Sequence, residues 1–111
     1  MEEVVYDTSA LVELLRGGKR TVEGFTTVLN VIEFPKALGL KEMGVIYPVV
    51  EDYAEATKMS AQLLKIGKPI PAIDVMVAAI ALRRNLTLYT GDAHFEYVKQ
   101  VRKELKLKIL K

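Results

Sequence analysis

The sequence predicts an α/β fold, a parallel sheet of four or five strands flanked by helices. Three observations carry this. Short runs rich in Val, Ile, Leu and Tyr alternate along the chain with longer stretches of helical period, the pattern of successive β-α-β crossovers. The connections are short and punctuated by glycine or proline, as at Gly17-Gly18, Gly39, Gly44, Gly67 and Gly91. Two strand-like runs lead to an aspartate, Val4-Val5-Tyr6-Asp7 and Leu88-Tyr89-Thr90-Gly91-Asp92. Acids therefore stand where open α/β sheets form their ligand crevice, at the carboxyl ends of the strands. A chain of 111 residues, half of them apolar, fits one domain.

In chain order, residues 3–6 form a first strand and 9–16 a first helix, stopped by Gly17-Gly18. Asp7, Thr8 or Ser9 can each cap that helix. A second strand covers 22–26. Thr27 opens a helical segment from Val28 to Leu38, closed by Gly39. Pro35 inside it predicts a kink or a break, because proline lacks an amide and clashes with the preceding turn. Val45-Ile46-Tyr47-Pro48 is a third strand, with proline marking an edge or an end. Glu51 to Ile66 is an amphipathic helix whose turns are traced by Tyr53, Ala54, Thr57, Ala61, Leu64 and Lys65. After the loop Lys68-Pro69-Ile70-Pro71, Ala72 to Arg84 is apolar nearly all round, so sheet and helices must cover it. Leu86 to Thr90 is a fourth strand, 93–101 a short helix, and Leu107 to Leu110 an edge strand.

Composition removes several classes of function. With no cysteine there is no disulfide, zinc-thiolate site or cysteine nucleophile. The longest apolar run, Val75 to Leu82, is eight residues, against roughly 20 for a membrane helix. The start, Met-Glu-Glu, lacks the basic and apolar regions of a signal peptide. A soluble, cytoplasmic protein is expected. Sixteen basic and 14 acidic residues give a formal charge of +2, too mild to indicate nucleic acid by itself. If several acids gather in one pocket, the remaining surface is distinctly basic.

Four acids are candidates to gather. Asp7 reads as a helix cap or as a ligand at a strand exit. Asp74 opens an almost wholly apolar helix. The helix dipole favours a carboxylate in a first turn by some 0.3–1 kcal/mol, which explains tolerance of Asp74 but not its choice. Asp92 reads as a turn residue. In a doubly wound sheet, however, strands one and four are neighbours at the switch point, and Asp92 then faces Asp7. Glu33 lies on the helix after strand two, with Asn30 on the same face. Four carboxylates in one crevice repel each other without a cation. Oxygen ligands select Mg²⁺ or Mn²⁺, which serve in-line phosphodiester hydrolysis. There is no Walker-type phosphate loop and no nucleophile-elbow serine. His94, the single histidine, reads as a phosphate contact or as a residue fixing the turn; Phe95 reads as core.

These residues together resemble the PIN-domain family, specifically a VapC-type toxin ribonuclease, over nearly the whole chain. The opening strand-Asp-Thr/Ser signature matches Val5-Tyr6-Asp7-Thr8-Ser9. The helix-borne Glu matches Glu33. The Asp heading an Ala/Ile-rich helix matches Asp74. The closing Thr-x-Asp-x-His/Asp-Phe pattern matches Thr90-Gly91-Asp92-Ala93-His94-Phe95. The resemblance implies a Rossmann-like sheet in the order 3-2-1-4-5 and an endoribonuclease whose Mg²⁺ or Mn²⁺ is held by Asp7, Glu33, Asp74 and Asp92. Thr8, Ser9, Asn30, Thr90 and His94 are the expected substrate contacts. It further implies a VapB-type antitoxin partner and a homodimer. His94 stands where part of the family has an acid, and the stretch between Glu33 and the Glu51 helix is short for the helical clamp of many relatives.

Lys99, Arg102, Lys103, Lys106, Lys108 and Lys111 read as phosphate contacts or as a solvated, lysine-protected sheet edge, the second being preferred. Lys19, Arg20 and Lys36 are expected nearer the crevice. Other readings are a PIN nuclease of RNA processing or decay without an antitoxin, a flavodoxin-like signalling domain, and a PIN-like binding protein without catalysis. A phospho-receiver needs an Asp after strand three, where this chain has Pro48-Val49-Val50. Intact Asp7, Asp74 and Asp92 oppose a loss of catalysis.

Overall fold

A computed structural model describes residues 2–110. Five strands, β1 (Val4–Tyr6), β2 (Thr21–Thr27), β3 (Lys41–Ile46), β4 (Thr87–Thr90) and β5 (Lys106–Ile109), form one sheet in the order β3-β2-β1-β4-β5. All four pairings are parallel, with Tyr6 opposite Thr26 on one side and Tyr89 on the other. Five helices connect them: α1 (Thr8–Arg16), α2 (Val28–Glu33), α3 (Val50–Lys65), α4 (Ala72–Arg83) and α5 (Phe95–Val101). The expected α/β class and strand order are both present.

Alternation along the strands divides the core. Val5 and Leu88 join one cluster with Met59 and Leu63 of α3, Val75 and Val77 of α4, and Phe95 and Val98 of α5. Tyr6, Val22 and Met43 meet Leu11 of α1 and Ala37 on the other face. α4 buries Val75 and the whole run Val77–Ala81, as its all-round apolar character requires. Among the described residues, no helix is long and apolar enough to cross a membrane.

Three local expectations change or sharpen. The helical segment after Thr27 does break at its proline: α2 ends at Glu33, Phe34 turns out at φ −142°, and Pro35 starts a separate 3-10 turn to Gly39. The third strand begins at Lys41, four residues before the expected Val45. Lys41, Glu42 and Gly44 carry little strand propensity, but pairing with β2 overrides it. Gly44 is required there, since a Cβ would sit 2.8 Å from Phe25 Cδ1. Finally, α3 buries Asp52, Ala56, Met59 and Leu63, while Tyr53 and Leu64 of the expected stripe face solvent. The helix carries two apolar stripes, and the one headed by a charge is the buried one.

Candidate active site

Asp7 extends the ladder one step past β1, its amide donating to Tyr89 O at 3.2 Å. The backbone then turns into α1, and Asp7 is the cap: Oδ1 accepts from the Ala10 amide at 2.9 Å. The same oxygen accepts from Ser9 Oγ at 2.7 Å, and Oδ2 accepts from Thr90 Oγ1 at 2.5 Å. Only 3% of Asp7 is exposed. Ser9 also accepts from the Gly91 amide at 2.8 Å, and Thr90 Oγ1 from the Asp92 amide at 3.0 Å. Ser9 and Thr90 thus tie the ends of β1 and β4 together and aim Asp7. Thr90 is fully buried, so its contacts are internal ones.

Asp74 lies in the first turn of α4, where the helix dipole favours its ionised form. Asp92 follows β4, and its Oδ1 accepts from the His94 amide at 3.3 Å, an Asx turn that leads into α5. This turn sends the His94 ring back between the two aspartates. Nδ1 is 3.1 Å from Asp92 Oδ1, and Nε2 is 2.9 Å from Asp74 Oδ2. The second approach lies off the line of the ring N–H, so Nε2 is fully buried with no hydrogen-bond partner among the described residues. Phe95, completely buried, backs the imidazole at 5.0 Å between ring centres.

Asp74, Asp92 and His94 each offer a donor atom, and all these atoms lie within 4.8 Å of one another. Asp7 belongs to the same electrostatic unit. Burial pushes its carboxyl above the ordinary value, the bonds from Thr90, Ala10 and Ser9 oppose this, and Asp92 adds to the rise. Asp74 is raised as well, first by burial. His94 opposes that rise, and the charges of Asp7 and Asp92 reinforce it. The chemistry of this donor set, with an orphaned buried nitrogen at its centre, fits a divalent cation.

Glu33 stands apart. It is exposed at the end of α2 and outside the close donor group. Thr8 Oγ1 donates to its Oε1 at 2.6 Å, and Thr8 in turn accepts from Asn30 Nδ2 at 3.0 Å. Asn30 Oδ1 accepts from Thr27 Oγ1 at 2.7 Å. Asn30 is fully buried, so it supports Thr8 from behind instead of facing the crevice. Asn30→Ala strands two hydroxyls and is expected to lower stability by roughly 1–3 kcal/mol, read by urea unfolding. An unchanged midpoint would show that Thr27 and Thr8 find other partners.

The sequence expectation placed the cation among four carboxylates. The close donors are instead two carboxylates and an imidazole, with Asp7 beside them and Glu33 at the rim. His94 is the donor that sequence reasoning missed. Its signal was its position two residues after an Asp that ends a strand, where an Asx turn folds the ring inward.

The basic residues sort themselves by topology. Lys19 and Arg20 precede β2 and stand at the amino edge of the parallel sheet, opposite the carboxylates, contrary to expectation; Arg20 O accepts from the Lys41 amide there. Lys36 follows Glu33 on the crevice side. Arg102 is engaged by Glu55 and Gln62, and Lys99 donates to Leu105 O. Lys106 and Lys108 alternate outward along the edge strand β5, as the edge-protection reading requires. Lys111 lies outside the described residues.

No protein-family model matches the sequence, and no curated protein matches it. Solved structures do match the fold. A chain of DNA-bound VapBC from Salmonella typhimurium superposes with a TM-score of 0.80 at 15% identity, covering 98% of both chains. A chain of VapBC2 from Rickettsia felis, bound to a DNA fragment from their promoter, gives 0.79 at 14% identity, over 96% of this chain and 97% of that one. A chain of VapBC-1 from nontypeable Haemophilus influenzae gives 0.76 at 17% identity, over 96% of each. At such identities the likeness speaks for architecture: the five-stranded parallel 3-2-1-4-5 sheet is the fold of chains in VapBC complexes.

Proposed function

We propose that the protein is a single-domain PIN-type ribonuclease that hydrolyses RNA phosphodiester bonds with Mg²⁺ or Mn²⁺. The observation that supports this most is the meeting of Asp7, Asp74 and Asp92 from three separate elements at the carboxyl ends of β1 and β4, with their charges opposing one another. Such repulsion is tolerated where a cation belongs. Asp74, Asp92 and His94 would hold the ion, with Asp7 at its side and Glu33 at the rim. When bound, a divalent ion supplies Lewis-acid stabilisation and lowers the pKa of water. The chain's own groups do the rest. Ser9, Thr90 and the Ala10 amide fix Asp7, and Asp7 aligns the crevice floor. Thr8 holds Glu33 where a carboxylate can accept a proton from an incoming water.

Fold likeness to chains of VapBC complexes, and to a chain of a toxin-antitoxin complex from Klebsiella pneumoniae at a TM-score of 0.66, supports a toxin role with a VapB-type antitoxin. A homodimer in the cytoplasm is part of the same reading. The test is cleavage of RNA by purified protein with Mn²⁺ or Mg²⁺. EDTA should abolish it, and excess Mn²⁺ should restore it. Cleavage that persists in EDTA would sink the metal-dependent reading.

A further inference from the structure

We propose that His94 is itself a metal ligand, through Nε2, and that this nitrogen makes the site prefer Mn²⁺ to Mg²⁺. The inference rests on the metal-dependent reading above and says which donor completes that site. Three observations carry it.

First, Nε2 is fully buried without a hydrogen-bond partner among the described residues. Buried polar atoms are nearly always satisfied, and those that are not call for a specific partner. Second, the spacing is that of two ligands sharing one ion. Nε2 stands 2.9 Å from Asp74 Oδ2 and does not direct its N–H there. Two neighbouring ligands in an octahedron, each about 2.1 Å from the metal, are about 3 Å apart. Third, the ring is held in the orientation a ligand needs. Asp92 Oδ1 lies 3.1 Å from Nδ1 and accepts the His94 amide, and Phe95 packs behind. A carboxylate against the distal nitrogen is how metal-bound imidazoles are oriented and made more basic.

The oxygen donors leave room for it. Asp7 already accepts three hydrogen bonds, from Ala10, Ser9 and Thr90, and Glu33 lies outside the close group. A hard ion such as Mg²⁺ favours oxygen and gains little from imidazole, whereas first-row transition ions accept it. The mixed donor set therefore tilts the site toward Mn²⁺.

The chain has one histidine, which makes the test direct. In untagged protein loaded with Mn²⁺, electron spin-echo modulation should show one coupled ¹⁴N of imidazole type. Titration should give Mn²⁺ binding tighter than Mg²⁺ binding, and His94→Asp should lower the Mn²⁺-to-Mg²⁺ preference about tenfold or more, with Mg²⁺ binding retained. His94→Gln serves where the added charge harms folding, and should lose the ¹⁴N signal equally. Bound Mn²⁺ that is displaced by Asp74→Asn but shows no ¹⁴N coupling would overturn the role of His94 and leave the metal site standing. Protein that binds neither ion would overturn the metal-dependent reading itself.

Discussion

Asp7→Asn is expected to reduce RNA cleavage by a factor on the order of 10³ while leaving the metal-free protein as stable as before, or more stable. The loss follows from the chemistry proposed for the crevice. Charge stabilisation by a bound cation is worth several kcal/mol, and each 1.36 kcal/mol is about tenfold in rate. The retained stability follows from the hydrogen bonds. An amide oxygen still accepts from the Ala10 amide and Ser9, so α1 keeps its cap, and the amide NH₂ can donate to Thr90 Oγ1. What disappears is a buried charge. The folded-state pKa of Asp7 is raised above its unfolded value, so its ionisation opposes folding. That penalty is absent below the unfolded pKa and grows as pH rises through the folded one. The stability gained by Asp7→Asn should therefore be largest at neutral pH and vanish toward pH 4. Added Mn²⁺ should reverse the order, because only the wild type gains ligand stabilisation. Thermal melts at two pH values, with and without Mn²⁺, check all three statements. Wild-type cleavage by Asp7→Asn would remove Asp7 from the active site.

The acids that meet at the sheet were legible because each interrupts a pattern. Asp7 and Asp92 end or follow apolar strands, and Asp74 heads a helix whose other first-turn neighbours are apolar. Strand order then follows from right-handed crossovers, which bring β1 and β4 together. Pro35 likewise announced the break at Phe34, since the ring leaves the chain no helical continuation. The rest depended on contacts that no local pattern carries. The inward turn of His94 is set by one Asx hydrogen bond. The start of β3 is decided by pairing with β2, not by Lys41 or Glu42 themselves. The buried stripe of α3 is decided by what Asp52 meets on α4, more than thirty residues away.

That last contact sets the largest expected effect on stability. Asp52 is fully buried at the start of α3 and receives four donors. Arg84 makes a forked pair, Nη1 to Oδ1 at 2.7 Å and Nη2 to Oδ2 at 2.9 Å; Arg83 Nη1 adds a bond of 2.7 Å, and the Val49 amide one of 2.8 Å. One carboxylate thus caps α3 and ties it to the end of α4. Burial alone would raise its pKa, but Arg84, the Val49 amide and Arg83 outweigh burial and hold it at about 2. A depressed folded pKa contributes stability that is present above the unfolded value and lost as pH falls through the folded one. Here that is about 2 kcal/mol, disappearing between roughly pH 4 and pH 2. Removing one partner of a buried ion pair typically costs 3–5 kcal/mol. The side chains of Arg83 and Arg84 retain 31% and 27% exposure and can rehydrate, so Asp52→Asn should cost about 3 kcal/mol, the low end. Urea unfolding should show a lower midpoint at unchanged slope. Cleavage per folded molecule should not change, because Arg83 lies nine residues along α4 from Asp74, roughly 14 Å at the helical rise. A loss below about 1 kcal/mol would mean that the pair only offsets its own desolvation, as buried ion pairs replaced by apolar groups often do. Replacing all three by Leu and Met would then match the wild type, whereas a cost near 3 kcal/mol for Asp52→Asn alone, recovered in that triple variant, locates the penalty in the two arginines left without their acceptor.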